Sequence, residues 1–221
     1  MATRTIAHVE DSAGRHPGKT FAEFFAGIGL VREGLAASGW SCRYANDNDN
    51  DPKKQALYRG CFGEESHFHL GDVAETAEVL SRMGKPTFLA TASFPCVDLS
   101  LAGHWRGFEG DHSSTFFGFT RVLEELGDRR PKLVMLENVT GFISSQGGRV
   151  FEAASRALAG LGYWIDAFVL DAKSFLPQSR PRVFVVGVHE SIEPPQAARR
   201  SAGSGRDSDP GDEIGTHGDD D

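Results

Sequence analysis

Thr20-Phe21-Ala22-Glu23-Phe24-Phe25-Ala26-Gly27-Ile28-Gly29-Leu30 is the stretch whose reading decides the fold. Residues 20–25 form a short, mostly apolar, strand-like run that breaks at Gly27-Ile28-Gly29. Apolar residues then return on one helical face at Val31, Leu35 and Ala36, which predicts a helix from about Leu30 to Ser38. A strand turning through glycines directly into a helix opens a βα unit. Glycine lets the backbone turn sharply and approach a ligand, and the following helix offers N–H groups without intrahelical partners. A tight βα turn also requires glycine without any ligand. Arg32 stands where a third glycine would complete G-x-G-x-x-G, so both readings of the turn stay open on these residues alone.

Outward from this turn the same alternation continues. Ser41–Ala45 suits a second strand, and Asp51–Tyr58 a helix with Pro52 in its first turn. Thr87–Ala92 is a short apolar run. Phe116, Phe119, Val122, Leu123 and Leu126 recur at helical spacing, Leu133–Leu136 reads as a buried strand, and Val150–Leu161 as an amphipathic helix. Tyr163–Leu170 and the β-branched Val183–Val188 close the series. Strands alternating with helices predict an α/β fold: a Rossmann-like, doubly wound, mostly parallel sheet covered on both faces. No internal repeat is present.

The 221 residues, 39% hydrophobic, suit one globular domain with a proper core. Residues 1–19 read as a polar leader, 20–189 as the domain, and 190–221 as an acidic tail rich in Pro, Gly, Ser and Asp, disordered by composition. No run approaches the roughly 20 apolar residues that span a bilayer, and the leader lacks the apolar block of a signal peptide. A cytoplasmic location away from membranes is the expectation. Cys42, Cys61 and Cys96 are too sparse for a disulfide framework, and without a C-x-x-C pair no metal is expected. The net charge is -8, but the tail holds nine acids against three arginines, leaving 22 acids and 20 bases in the body. That near-neutral body excludes a domain that grips DNA by wholesale phosphate neutralisation, while leaving room for a local basic groove.

Five further segments carry chemistry. Asn46-Asp47-Asn48-Asp49 follows the second strand about 20 residues beyond the first glycine, where a doubly wound nucleotide site places a ribose-hydroxyl acceptor; Asp47 takes that role. The competing reading is a helix cap, which Asp49 or Asp51 also fits. Gly71-Asp72-Val73 is a third edge, with Asp72 able to accept from an adenine amino group. In Ser93-Phe94-Pro95-Cys96-Val97-Asp98 a lone Cys is more often a small buried hydrophobe than a nucleophile. The preceding proline and following polar residues point instead to a stiff, partly exposed loop. Glu137-Asn138-Val139 ends the strand Leu133–Leu136, putting Glu137 where parallel sheets bind ligands; buried there, a carboxyl stays protonated and acts as an acid. In Gln178-Ser179-Arg180-Pro181-Arg182, two arginines on alternate residues of an extended segment point the same way and can hold a carbonyl or phosphate. The plain alternative is a pair of solvated charges.

Phe-Ala-Gly-Ile-Gly, Asn-Asp-Asn-Asp, Gly-Asp-Val, Phe-Pro-Cys, Glu-Asn-Val and Gln-x-Arg-x-Arg, in this order and spacing over about Thr20 to Val188, resemble the DNA cytosine-5 methyltransferase family. The resemblance implies the S-adenosylmethionine-dependent methyltransferase fold, double-stranded DNA as partner and a setting such as restriction-modification. It makes Cys96 the nucleophile that adds to cytosine C6, Glu137 the partner of N3, Arg182 the partner of O2, and Arg180 a support of the same pocket. It assigns the cofactor S-adenosylmethionine to Phe25, Ala26, Gly27, Ile28, Gly29, Asp47, Asn48, Asp72, Val73 and Pro95, with Thr115 and Phe116 nearby. Asn48 stands where the family often has an apolar ring, Leu30 where it has a third small glycine, Val97 where glutamine is common, and Ser113-Ser114 where it has Arg-Gly. Neither the family's target-recognition domain nor its last motif is found after Arg182. The expectation is a catalytic portion served by a second polypeptide, against a truncated inactive product or a non-catalytic cofactor-binding module. An RNA cytosine-5 methyltransferase uses the same chemistry.

Overall fold

Every residue of β1 (Thr20–Phe24) is buried, as expected of a parallel strand covered on both faces. In the computed structural model, which describes residues 18–48, 51–63, 67–95 and 115–192, β1 lies between β2 (Ser41–Asp47) and β4 (Leu89–Ala92). β3 (Phe68–Leu70) extends the sheet beyond β2, and β5 (Leu133–Val139) extends it beyond β4, all parallel. β7 (Pro181–His189) is inserted antiparallel between β5 and β6 (Tyr163–Asp171), giving the order β3-β2-β1-β4-β5-β7-β6. The chain crosses from one half of the sheet to the other between β3 and β4. The carboxyl ends of β1 and β4 therefore flank a topological switch point, where open α/β sheets bind their ligands.

The helices of eight residues or more are α1 (Leu30–Ala37), α2 (Pro52–Phe62), α3 (Thr76–Met83), α4 (Thr115–Leu126) and α5 (Arg149–Gly160). Each strand and helix read from the sequence is present within a few residues; β3 and α3 are additional. α2 starts as anticipated, with Pro52 in its first turn and the Asp51 carboxylate accepting from the Lys53 N–H at 2.9 Å. The larger core lies under α3, α4 and α5. All five spaced residues of α4 (Phe116, Phe119, Val122, Leu123 and Leu126) are buried there, and Phe119 meets Phe24 of β1 edge-on at 5.0 Å. A smaller cluster of Ala26, Ala45, Tyr58 and Phe68 seats α2 on the other face.

That second face is thinly covered. α1 buries no residue fully; Val31 and Leu35 are half-buried, while Ala36 is exposed. On β6 the strand alternation turns Tyr163, Ile165 and Ala167 toward the core and leaves Trp164, Phe168 and Leu170 exposed. Packing thus concentrates on one side of the sheet. Phe119→Ala should lower unfolding free energy by about 3–5 kcal/mol in urea denaturation, whereas Leu30→Ala, at an exposed position of α1, should change it by less than about 0.5 kcal/mol.

Candidate active site

The turn between β1 and α1 is held by backbone and by its neighbours. Phe25, Gly27 and Gly29 all have positive φ, at 57°, 57° and 85°, a region that a bulky residue such as Phe25 enters only under strong local constraint. Ala26 N–H donates to the Asn46 carbonyl at 2.8 Å, and Gly29 N–H to the Ala26 carbonyl at 2.8 Å. A Cβ at Gly29 would collide with the Phe62 ring and come within 2.9 Å of Tyr58, so protein packing demands this glycine. Gly27 is different: among the described residues nothing lies within 4 Å of the position its Cβ would take. Its N–H donates to Asp47 Oδ2 at 2.6 Å, which ties the turn to the tip of β2. Phe25 and Ala26 are buried and Ile28 is exposed.

Under the turn lies Glu23, 1% exposed. One carboxylate oxygen accepts from the Arg32 N–H and the other from the Tyr58 hydroxyl, both at 3.2 Å. Desolvation pushes its pKa from 4.5 to about 7, against the lowering effect of these hydrogen bonds and of Arg32.

β2 and β3 present a second cluster. The Asn48 side chain bridges the two tips: its Nδ2 donates to Asp72 Oδ1 at 2.9 Å, and its Oδ1 accepts from the Val73 N–H at 3.0 Å. Asp72 Oδ1 also accepts from Ala74 N–H at 2.9 Å, which fixes the carboxylate. The Val73 side chain is buried, so this residue meets the edge through its backbone.

The third cluster lies at β4, β5 and β7. Ser93 N–H donates to the Phe24 carbonyl at 3.3 Å, and Phe94 packs against Phe116 at 5.1 Å and Phe142 at 5.7 Å. Phe116 is fully buried and packs against Phe94. Asn138 Nδ2 donates to the Phe94 carbonyl at 3.0 Å, anchoring the chain immediately before the exposed Pro95. Cys96 lies outside the described residues. Of the other thiols, burial pushes Cys42 up to about 11, leaving almost no thiolate at neutral pH. Glu137 Oε1 pairs with Arg182 Nε at 2.9 Å, both side chains being half-buried. An ion pair this accessible adds at most about 1 kcal/mol of stability, so its significance is geometric. Glu137 is thus a paired, partly accessible carboxylate rather than an isolated buried one.

Of the two sequence-predicted arginines, only Arg182 meets Glu137. Arg180 is exposed and enters through its backbone: its N–H donates to Asp171 Oδ1 at 2.8 Å. Asp171 also accepts from Lys173 N–H and Ser179 Oγ. These bonds, the Lys173 amide foremost, hold its carboxyl below the usual range and close the loop that presents Arg180-Pro181-Arg182. Asp171, Asn138, Tyr58 and Glu23 were not singled out from sequence. Glu23 did carry a signal, since it is flanked by apolar residues on its strand and needs a partner once buried. Among the described residues no group of three or more His, Cys, Asp or Glu could hold a metal ion, and no helix is long and apolar enough to cross a membrane.

Comparison with known proteins follows this geometry. The family model for C-5 cytosine-specific DNA methylase matches residues 19–206. Type II methyltransferase M.HhaI of Haemophilus parahaemolyticus is 32% identical over 170 residues, covering 76% of this chain and 49% of that protein. Type II methyltransferase M.HpaII of Haemophilus parainfluenzae is 31% identical over 175 residues, covering 78% and 46%. The chain spans about half the length of the curated relatives it matches. The S. pombe Dnmt2 methyltransferase structure has the same fold, with a TM-score of 0.61 at 21% identity over 79% of this chain and 50% of that one.

Because folding raises the Glu23 pKa from 4.5 to about 7, the folded chain binds this proton more tightly than the unfolded chain. Ionising Glu23 therefore removes stability as pH rises from about 4.5 to about 7, on the order of 3 kcal/mol in all. The change in unfolding free energy caused by Glu23→Gln should become more favourable by roughly that amount between pH 4.5 and pH 8, measured by urea denaturation at each pH. An equal effect at both pH values would contradict the assignment.

Proposed function

The chain belongs to the C-5 cytosine-specific DNA methylase family, and from that premise we propose that it is the catalytic part of a DNA (cytosine-5-)-methyltransferase. The proposed reaction moves a methyl group from S-adenosylmethionine to C5 of a cytosine turned out of double-stranded DNA. The observation that carries this reading is the Glu137–Arg182 pair at the carboxyl edge of the sheet, beside the anchored Phe94-Pro95 segment that leads into Cys96.

The open position beside Gly27, the Asp47 carboxylate tied to its N–H and the clamped Asp72 carboxylate on the neighbouring strand tip would together receive S-adenosylmethionine. Asp47 would take the ribose hydroxyls, Asp72 the adenine amino group, and the turn Phe25–Gly29 the methionine portion, with Val73 and Pro95 bordering the pocket. Asn48, in place of a stacking ring, orients Asp72 by its amide. When bound, this cofactor supplies an electrophilic methyl group on a sulfonium.

Cytosine C5 is a poor nucleophile. Addition of the Cys96 thiolate to C6 gives C5 enamine character, and loss of the C5 proton afterwards lets the thiolate leave. Adding a thiolate pushes electron density onto N3 and O2. Glu137 would supply a proton or hydrogen bond at N3 and Arg182 would hold O2, so the pair matches two adjacent atoms of one base edge. The planar guanidinium suits that edge. Arg180 supports the pocket rim. Turning the base out of the duplex costs a few kcal/mol, which contacts in this pocket offset.

The reading includes a second polypeptide segment that reads the DNA sequence. The near-neutral charge of the body supports it, as do Trp164 and Phe168, exposed on the same face of β6. Methyl transfer from radiolabelled S-adenosylmethionine is the test, with duplex DNA and RNA as separate substrates, the chain alone and the chain with the C-terminal half of a relative added. Transfer to cytosine C5 of DNA is expected. Cys96→Ser should lower kcat by at least roughly 10³-fold with cofactor affinity within about twofold, and Glu137→Gln by roughly 10²-fold. Transfer to RNA alone, or an equally active Cys96→Ser enzyme, would overturn the assignment.

A further inference from the structure

α1 begins at Gly29, a residue with no side chain to cap the first N–H groups, and no side-chain cap is present at that position. The missing acceptor comes instead from β1: Glu23 Oε1 receives the Arg32 N–H at 3.2 Å, in the first turn of α1. Glu23 Oε2 receives the Tyr58 hydroxyl of α2 at 3.2 Å, and that hydroxyl receives Arg32 Nη1 at 3.1 Å. Arg32 also lies over the Phe62 ring, 4.3 Å from its centroid. The triangle joins β1, α1 and α2 across sequence separations of 9, 26 and 35 residues. Its Tyr58 ring, with the neighbouring Phe62 ring, is what Gly29 presses against. An apolar residue at position 23 would serve packing alone; a buried carboxylate is useful only to partners that need an acceptor.

We propose that Glu23, Tyr58 and Arg32 form a positioning unit beneath the glycine turn, holding Gly27–Gly29 in the geometry that receives S-adenosylmethionine. The inference rests on the reading above that this turn binds that cofactor. None of the three is a catalytic residue; they act through the turn.

The unit depends on charge. An ionised carboxylate accepts from both donors, whereas a protonated one gives up an acceptor position and loosens either α1 or α2. The groups facing Glu23 are Arg32 from α1, Tyr58 from α2, and Asp47 and Cys42 from β2. With its pKa at about 7, Glu23 passes from mostly protonated to mostly ionised between pH 6 and pH 8. If only the ionised form holds the turn, cofactor affinity rises by up to about tenfold over that range.

The test uses the full chain as wild type, Tyr58→Phe and Glu23→Gln, in two measurements: amide hydrogen exchange of residues 25–33, and S-adenosylmethionine affinity by calorimetry at pH 6, 7 and 8. Tyr58→Phe keeps the rings under Gly29 and removes only the hydroxyl. It should speed exchange in the turn and weaken binding roughly fivefold, the worth of one net hydrogen bond. The wild type should gain affinity with pH relative to Glu23→Gln, an effect that loss of packing alone would not produce. Wild-type exchange in both variants, or parallel pH profiles for wild type and Glu23→Gln, would overturn the inference. Faster exchange in both variants combined with no cofactor binding by the wild type would leave the positioning of the turn standing and remove the cofactor reading.

Discussion

The 2.9 Å contact between Arg182 and Glu137 depends on the direction of one strand. β5 runs parallel to β4 and β1, so Glu137 stands at its carboxyl end. β7 runs against β5, so the start of β7, where Arg182 sits, arrives at that same edge. A parallel β7 would carry Arg182 to the opposite edge of the sheet, a strand length away. The loop before β7 is closed on Asp171, which fixes where the strand begins. One antiparallel strand thus places an acid and a guanidinium together at the carboxyl edge of the parallel strands.

The edge divides into two parts that meet at β1 and β4. On the β1–β2–β3 side the features are open space beside Gly27 and carboxylates held in place by the backbone and by Asn48. On the β4–β5–β7 side they are a backbone anchor from Asn138 and an ion pair. Ser93, bonded to the Phe24 carbonyl, links the two. A cofactor and a base bound on either side of that link would face each other. The support beneath is uneven: Phe94, Phe116 and Phe142 form an aromatic floor under the Phe94-Pro95 segment, while the glycine turn rests on a polar triangle around a buried carboxylate.

Much of this was legible in the sequence, for reasons particular to the residues. β1 and the α4 face could be read because burial there is continuous or strictly spaced. β3 could not, because three residues carry no period. α3 buries only Thr76, Val79 and Met83 among polar neighbours, a sparse signal. The antiparallel course of β7 is a property of connections, which hydrophobic pattern does not encode. At the site, motif order identified Asp47, Glu137 and Arg182, and the structure brings the last two together. Motif order did not reveal that Asn48 works through both ends of its amide or that Arg180 is held by its backbone. Those facts depend on partners 9 to 25 residues away. The same holds for Glu23, whose polarity in an apolar strand was visible while its partners Arg32 and Tyr58 were not.

The central claim is that this edge places a nucleophilic Cys96 against a cytosine held by Glu137 and Arg182. The most direct measurement is covalent trapping on duplex DNA containing 5-fluorocytosine in the presence of S-adenosylmethionine, with the adducted peptide identified by mass spectrometry. Fluorine at C5 cannot leave as a proton does, so the enzyme stays bonded to C6. The account predicts a cofactor-dependent adduct on the peptide carrying Cys96, formed far more slowly when Arg182 is replaced by Ala. An adduct on Cys42 or Cys61, or no adduct from a chain that binds the cofactor and the DNA, would contradict it.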